Sequence, residues 1–496
     1  MIQKTITAFC FLLAILASVD SHASGYYNLG AFWKPTATAS SLTISDVSTN
    51  QWGNVYVGTK VGQRAERMFT LTNTGGSTIT SMAAGAPAMS APFSFLGGTF
   101  PGQKGTCQDT LAASATCTIA IVFNPTATGA YADTIRVSYS DGTNSGTATR
   151  SVAGTGYKAT KVSLGDSHSH FLLNDGRVYS AGIGSGGYGQ LGDGSTFVDK
   201  PYLVPVSGIT NATELKTGYR HSCVIKTDGT VWGWGASTNG ELGNGAASNS
   251  SVPVQVSWIT NAVQLGLGAY ISCARLSTGD IVCWGDNSFT GIDTGTSFCN
   301  GSSACYNTPV TIANITSATD FSISSGNNSS TGCAVVNMGA TTGVVKCWGK
   351  NTTSLLGDGA GAGSRYGVTA VGLAGVTNTV TKVQLIENVA FALTDAGKVF
   401  TWGTEYYGDF GTYGTSGGNY TTPVQITALS NTVSTLADIG ESDTMCALAA
   451  DGSAKCWGAN SSGNIGDGTV TNRNSPTAMT AMTNIAAIYG YVSDMC

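Results

Sequence analysis

The sequence is poor in charge. Of its 496 residues only 10% are Asp, Glu, Lys or Arg, the net charge is −5, and there are 4 histidines and 11 prolines. A chain without a basic excess has no electrostatic footprint for a phosphate backbone, so nucleic acid is excluded as an expected partner. After residue 17 no run of about 18 apolar residues occurs, and no later stretch reads as a membrane-spanning helix. CxxC ligand pairs and the HExxH, Walker and calcium-loop patterns are missing as well. With them go the usual signatures of zinc, hydrolytic and nucleotide chemistry.

Glycine is what the chain has in quantity, 67 residues, together with 42% hydrophobic residues, 9 Trp and 19 Tyr. That content of core formers is not that of a disordered chain. It fits short strands joined by many tight turns, an all-β class, and a length that calls for more than one domain.

The N-terminus carries Lys4, then the apolar run "ITAFCFLLAILA" (6–17), then "SHA" before Ser24. This is the pattern of an export signal over residues 1–23, too short to span a bilayer. Cys10 lies inside the apolar run without the small-residue pattern of a lipid-modified cysteine. The expected location is therefore the periplasm, the cell surface or the medium. Twelve of the 13 cysteines follow the signal, and in an exported chain these read first as disulfides.

Residues 24–42 read as an arm or linker. Beyond them, "CTIAIVF" (117–123) puts Cys117, Ile119, Ile121 and Phe123 on one face, and "IRVSY" (135–139) does the same with Ile135, Val137 and Tyr139. This alternation predicts half-buried strands of a β-sandwich over 43–156. The stretches "FTLTNTGGSTIT" (69–80), "LAASATCTIAIVFNPTATGAYADTIRVSY" (111–139) and "VAGTG" (152–156) resemble the immunoglobulin-like domains called choice-of-anchor D, related to the Hydin type. The resemblance implies a spacer or binding module of a secreted or surface bacterial protein.

From 157 to 496 the chain repeats itself. "TVWGWGASTNGELGNG" (230–245), "DIVCWGDNSFTGIDTG" (280–295), "VVKCWGKNTTSLLGDG" (344–359), "VFTWGTEYYGDFGTYG" (399–414) and "AKCWGANSSGNIGDG" (454–468) are variants of one pattern, with a weaker form at 178–194. The glycine after the tryptophan position recurs at 182, 235, 285, 349, 403 and 458. A period of 50-odd residues with strand patterning predicts the blades of a propeller. Gly165/His168 and Gly218/His221, the DG turns at 175, 228 and 451, the WG strand ends, the GxLGxG turns and Pro253, Pro309 and Pro423 resemble the regulator of chromosome condensation repeat. The first unit departs from it with Ala181 in place of tryptophan. The expected fold is thus an immunoglobulin-like β-sandwich followed by a six- to seven-bladed β-propeller whose last blade is incomplete.

Cysteine spacing fits that frame. Cys273 and Cys283, Cys446 and Cys456, and Cys333 and Cys347 flank hairpin turns, where cross-strand neighbours reach bonding distance. Three intrablade disulfides are expected, with Cys107–Cys117 in the sandwich and Cys299–Cys305 in a blade-three insertion. Cys223 faces Gly233 and has no partner in its blade; Cys496 ends the chain.

No cofactor, metal or catalytic residue is expected. The GxGxxG spacing within "GIGSGGYG" (182–189) lacks the helix and acid of a dinucleotide loop. His168, His170 and His221 read as repeat-position residues bonding neighbouring blades. Asp193, Asp358 and Asp467 read as turn residues, since Asn244 fills the same place in another unit. Large aromatics after WG, namely Tyr188, Phe289, Tyr406 and Tyr407, mark the expected partner-binding face. The function expected is non-enzymatic recognition of a protein or glycan by a monomer. A secreted inhibitor of an extracytoplasmic enzyme such as a β-lactamase, or nucleotide exchange on a host GTPase, are the alternatives.

Overall fold

The computed structural model describes residues 26–28, 42–46, 55–56, 65–124, 129–157, 159–287, 305–324, 331–338, 341–361, 369–371, 379–412, 418–429, 433–437, 444–479, 490–491 and 494–495. Among them every regular element is a β-strand. One compact unit ends at Ala159 and the other begins at Thr160.

In the first unit a four-stranded sheet runs in the order Leu42–Asp46, Ala65–Asn73, Thr116–Phe123, Phe93–Phe95. A five-stranded sheet runs Val55–Tyr56, Tyr26–Asn28, Ser145–Gly156, Gly129–Ser140, Thr80–Ala84. The stretch expected to be an arm therefore supplies a strand. Ile119, Ile121 and Phe123 from one sheet and Ile135, Val137 and Tyr139 from the other share a single core, as period-2 alternation requires. Asn73 ties the turn that follows it. Its amide donates to the carbonyls of Ser77, Leu111 and Ala112 at 2.8, 3.0 and 3.0 Å, and its oxygen accepts from Gly75 N at 3.0 Å. Cys107 is bonded to Cys117.

The second unit holds, among the described residues, six four-stranded antiparallel sheets in sequential order, the blades of a β-propeller. Strands A to D are Ala159–Leu164, His168–Leu173, Val178–Gly182 and Lys200–Pro205 in blade one, and Ala212–Thr217, His221–Lys226, Val231–Gly235 and Ser250–Gln255 in blade two. Blades three to six begin at Ala262, Ala318, Val380 and Val433. Gly490–Tyr491 and Asp494–Met495 pair with each other. First strands of blades two to five lie against one another in succession, and hydrogen bonds join first strands of neighbouring blades. Thr217 N donates to Ser163 Oγ at 2.9 Å, Leu385 N to Ser322 Oγ at 3.0 Å, and Val383 N to Asp320 Oδ2 at 2.9 Å. Lys161 pairs with Glu214 in the same belt.

The repeat motif is explained by a second inter-blade contact. Trp234, Trp284, Trp402 and Trp457 end their C strands fully buried. Each donates its indole N–H to a carbonyl of the preceding blade: Gln190, Glu241, Leu355 and Asp409, at 3.1, 2.7, 2.8 and 2.8 Å. The following glycines, Gly192, Gly243, Gly357 and Gly411, have positive φ. A Cβ on any of them would meet the indole of the next blade at 2.7–2.8 Å. The Trp-Gly and Leu-Gly signatures are thus two halves of one latch.

One cross-strand position per blade is filled differently each time. The B–C pairs are His170 with Ser180, Cys223 with Gly233, Cys273 with Cys283, Cys333 with Cys347, Phe391 with Thr401, and Cys446 with Cys456. The three Cys–Cys pairs are bonded. Elsewhere a larger residue faces a smaller one, which fills the same space. Cys305 is disulfide-bonded, while Cys299, its expected partner, and Cys496 lie outside the described residues.

Candidate functional site

In an antiparallel blade the A–B and C–D connections share one end, and the B–C and D–A connections the other. The A–B connection is a four-residue turn: Gly165, Gly218 and Gly268 donate to the carbonyls of His168, His221 and Ile271 at 2.8, 2.8 and 2.9 Å. The glycine leaves room for the residue three further on. A Cβ at Gly165 or Gly218 would lie 2.3 or 2.5 Å from the following imidazole. The two residues between are free to vary, and here they build a cluster.

Arg220 is its centre. Its guanidinium lies 4.6 Å from the ring centroid of Tyr188 and 4.9 Å from that of Tyr219. Nη1 donates to the Tyr188 hydroxyl at 2.8 Å, and Nε stands 3.9 Å from Asp166 Oδ2. Tyr219 meets Tyr270 of blade three edge-on at 6.3 Å. Asp166 and Tyr188 come from blade one, Tyr219 and Arg220 from blade two, and Tyr270 from blade three. The Arg220 side chain is 38% exposed and Tyr270 36%. This is a preorganised aromatic–guanidinium surface at one end of three adjacent blades.

Beneath it lies an uncharged histidine layer. His168, His170 and His221 are buried. The rings of His168 and His170 are 5.2 Å apart, and Trp234 Nε1 also reaches His170 Nε2 at 3.1 Å. His221 Nε2 lies 2.9 Å from Ser272 Oγ in blade three. Burial pushes His168 down to about 3 and His221 to about 4, and holds His170 well below its ordinary value. Cys223, also buried, carries a thiol that burial pushes up to about 12. Among the described residues no group of three His, Cys, Asp or Glu side chains converges as a metal would require.

The expected aromatic face divides. Tyr188 is half-buried and its ring is covered by Arg220. Tyr406 and Tyr407 are each 50% exposed. Phe289 lies outside the described residues. The residues between WG and the next glycine are in part structural. Asn460 is fully buried, accepts from Ile465 N at 2.8 Å and donates to the carbonyls of Thr469 and Thr471 at 3.0 and 3.1 Å. Asn351 and Ser237 do the same for Leu356 N and Leu242 N. Asp193, Asn244, Asp358 and Asp467 accept from the N–H two residues on, at 2.9, 3.1, 3.1 and 2.9 Å. They are turn residues. Tyr219, Arg220 and Tyr270 escaped the sequence reading; their one local signal is their place between the repeat glycine and the B strand.

Residues 175–225 and 228–275 match the regulator of chromosome condensation (RCC1) repeat, and a second description of that repeat matches 159–190, 213–241 and 262–290. The fold is similar to that of Prp20p from Saccharomyces cerevisiae, with a TM-score of 0.56 at 16% identity over 68% of this chain and 81% of that one. Human WBSCR16 is similar at TM-score 0.56 and 19% identity, over 68% and 86%. RCC1 repeats are therefore recognised within residues 159–290, and the fold of the second unit is that of an RCC1-like propeller. Among curated proteins, human "Probable E3 ubiquitin-protein ligase HERC4" is 32% identical over 99 residues, 19% of this chain and 9% of that protein. Human "E3 ubiquitin-protein ligase HERC2" is 26% identical over 260 residues, 51% of this chain and 5% of that protein. The matches thus span less than a tenth of these relatives' lengths.

Proposed function

We propose that this chain is an exported, non-enzymatic recognition protein that binds a protein partner through the A–B and C–D end of blades one to three. The observation that carries the reading is Arg220 held between Tyr188 and Tyr219, beside Tyr270. Tyr and Arg are the residue types that dominate interface energetics, and their mutual packing lowers the entropy lost on binding. The titratable groups beneath are three histidines and a cysteine, all buried, not the differently environed carboxylate pair that acid–base catalysis uses. An RCC1-like neighbour, Prp20p, is described by its binding to Gsp1p and histones, which supports a protein partner for this chain. The leader at 1–23 supports export, and an immunoglobulin-like module at 43–156 would serve as spacer.

A photo-crosslinking p-benzoylphenylalanine in place of Tyr270 tests this. An adduct with one discrete partner from envelope or medium, not formed from the same group at Thr227 at the opposite end of the blade, is the expected result. Equal or absent adducts at both positions would remove the reading.

A further inference from the structure

Among the described residues eight non-glycine residues have positive φ; four are Ser and two are Asn, the latter a residue type that enters the left-handed region readily. The other two are Phe197 and Trp258, at φ 65 and 60. Among the described residues they are also the two most exposed aromatic side chains, 71% and 84%. Phe197 has a contact that accounts for it, since its ring covers Gly187, whose Cβ position is 2.5 Å from the ring edge. Trp258 has no such cover. It lies in the connection from strand D of blade two to strand A of blade three, in "VSWITNA", aligned with "VSGITNA" and "IANITSA" of the neighbouring connections. The aligned residues there are Gly208 and Asn314, at φ 68 and 65. Those connections use residue types suited to that backbone; blade two places a tryptophan there and leaves it in water. The fold does not call for it, and an observed strain of this kind points to a role outside the fold.

We infer that Trp258 is the platform of a neutral-carbohydrate site at the D–A end of the propeller, opposite the Arg220 surface and independent of it. A flat exposed indole stacks on a sugar ring, and its surroundings supply hydrogen bonds without charge. Ser257, Thr260 and Asn261 share its connection, and Asn261 Nδ2 reaches Ser277 Oγ of the adjoining turn at 3.4 Å. The charged residues of the two adjoining turns are engaged, among them Asp280, which accepts from Thr278 Oγ1 at 2.8 Å. The Lys226 ammonium stacks 3.9 Å over Trp232, and Asp228 accepts from Thr230 N and Oγ1 at 3.0 and 2.6 Å. A protein hot spot would instead be ringed by apolar neighbours that exclude water.

The test is native affinity electrophoresis of the full chain in gels containing hydroxyethyl cellulose, galactomannan, mannan or dextran, beside melting of the same samples. The wild type is expected to be retarded by at least one of these. Trp258→Asn, which restores the residue type of blade three, should lose the retardation completely while its Tm rises by about 1–2 °C. Arg220→Ala should stay retarded, which separates this site from the protein-binding surface. Retardation kept in Trp258→Asn, absence of retardation in every gel, or a fall in its Tm would each overturn the inference. So would a protein partner lost on Trp258→Asn without retardation in any gel.

Discussion

Trp457 donates its indole N–H to the carbonyl of Asp409, 2.8 Å away in the preceding blade, and lies over Gly411, where a Cβ would stand 2.7 Å from the ring. Blade six is latched to blade five by a side chain and by the absence of one. Trp457→Ala should cost about 3–5 kcal/mol, and Trp457→Phe about 1–3 kcal/mol through the carbonyl left unpaired. Gly411→Ala should cost about 2 kcal/mol or more, from a residue held at φ 69 and from the collision with the ring. Denaturant unfolding of the three variants checks the order. Equal stability of Gly411→Ala and wild type would show that the indole does not occupy that space.

Blade two lacks the cystine of blades three, four and six because Gly233 faces Cys223. A Cβ at Gly233 would lie 3.1 Å from Cys223 Sγ, and Gly233 is not among the positive-φ residues. Gly233→Cys should therefore close a fourth hairpin bridge. The gain expected is about 2–3 kcal/mol under oxidising conditions, reduced by the approach to Leu242 at 3.2 Å. The thiol count in denaturant should fall from that of wild type plus one to that of wild type minus one. Melting with and without reductant measures the gain.

Acid should loosen the propeller at its histidine layer. His168, His170 and His221 have folded-state values lowered by burial, two of them to about 3 and about 4, against 6.5 unfolded. The unfolded chain binds these protons first. Stability is full above pH 6.5 and falls as pH drops through the window toward 4, by about 2 kcal/mol for each of His168 and His221 between pH 7 and 5, with His170 acting in the same direction. Substituting one of them by Asn should flatten the stability–pH profile in that window, read by urea midpoints.

Glu241 acts in the opposite direction. It is buried, and burial pushes it up to about 7 from 4.5. The folded state holds its proton longer, so this residue withdraws stability as pH rises from 4.5 through 7. Blade one has Gln190 in the same place. Glu241→Gln should be more stable than wild type by roughly 2–3 kcal/mol at pH 8 and equal to it at pH 4.5. A constant difference across that range would show that the carboxyl does not titrate there.

The blade period was legible because tryptophan and glycine cannot be exchanged at the latch, where Trp284 fills the space over Gly243. The hairpin cystines were legible from a spacing of ten around a turn. Asn460 was not, because its counterparts Ser237 and Asn351 share an acceptor role rather than an identity. Nor was the Arg220 cluster. Its members lie in three blades, up to 104 residues apart from Asp166 to Tyr270, and only ring geometry brings them together. The strand at Tyr26–Asn28 was missed because three residues carry too little alternation to count.

Affinity capture from envelope and medium by the wild-type chain and by an Arg220→Ala, Tyr270→Ala double variant tests recognition at this surface most directly. Both substitutions fall on partly exposed side chains and should leave Tm within about 1 °C. The wild type should enrich a discrete protein partner that the variant loses at least tenfold. Equal enrichment by two chains of equal Tm, or no partner enriched by the wild type, would contradict it.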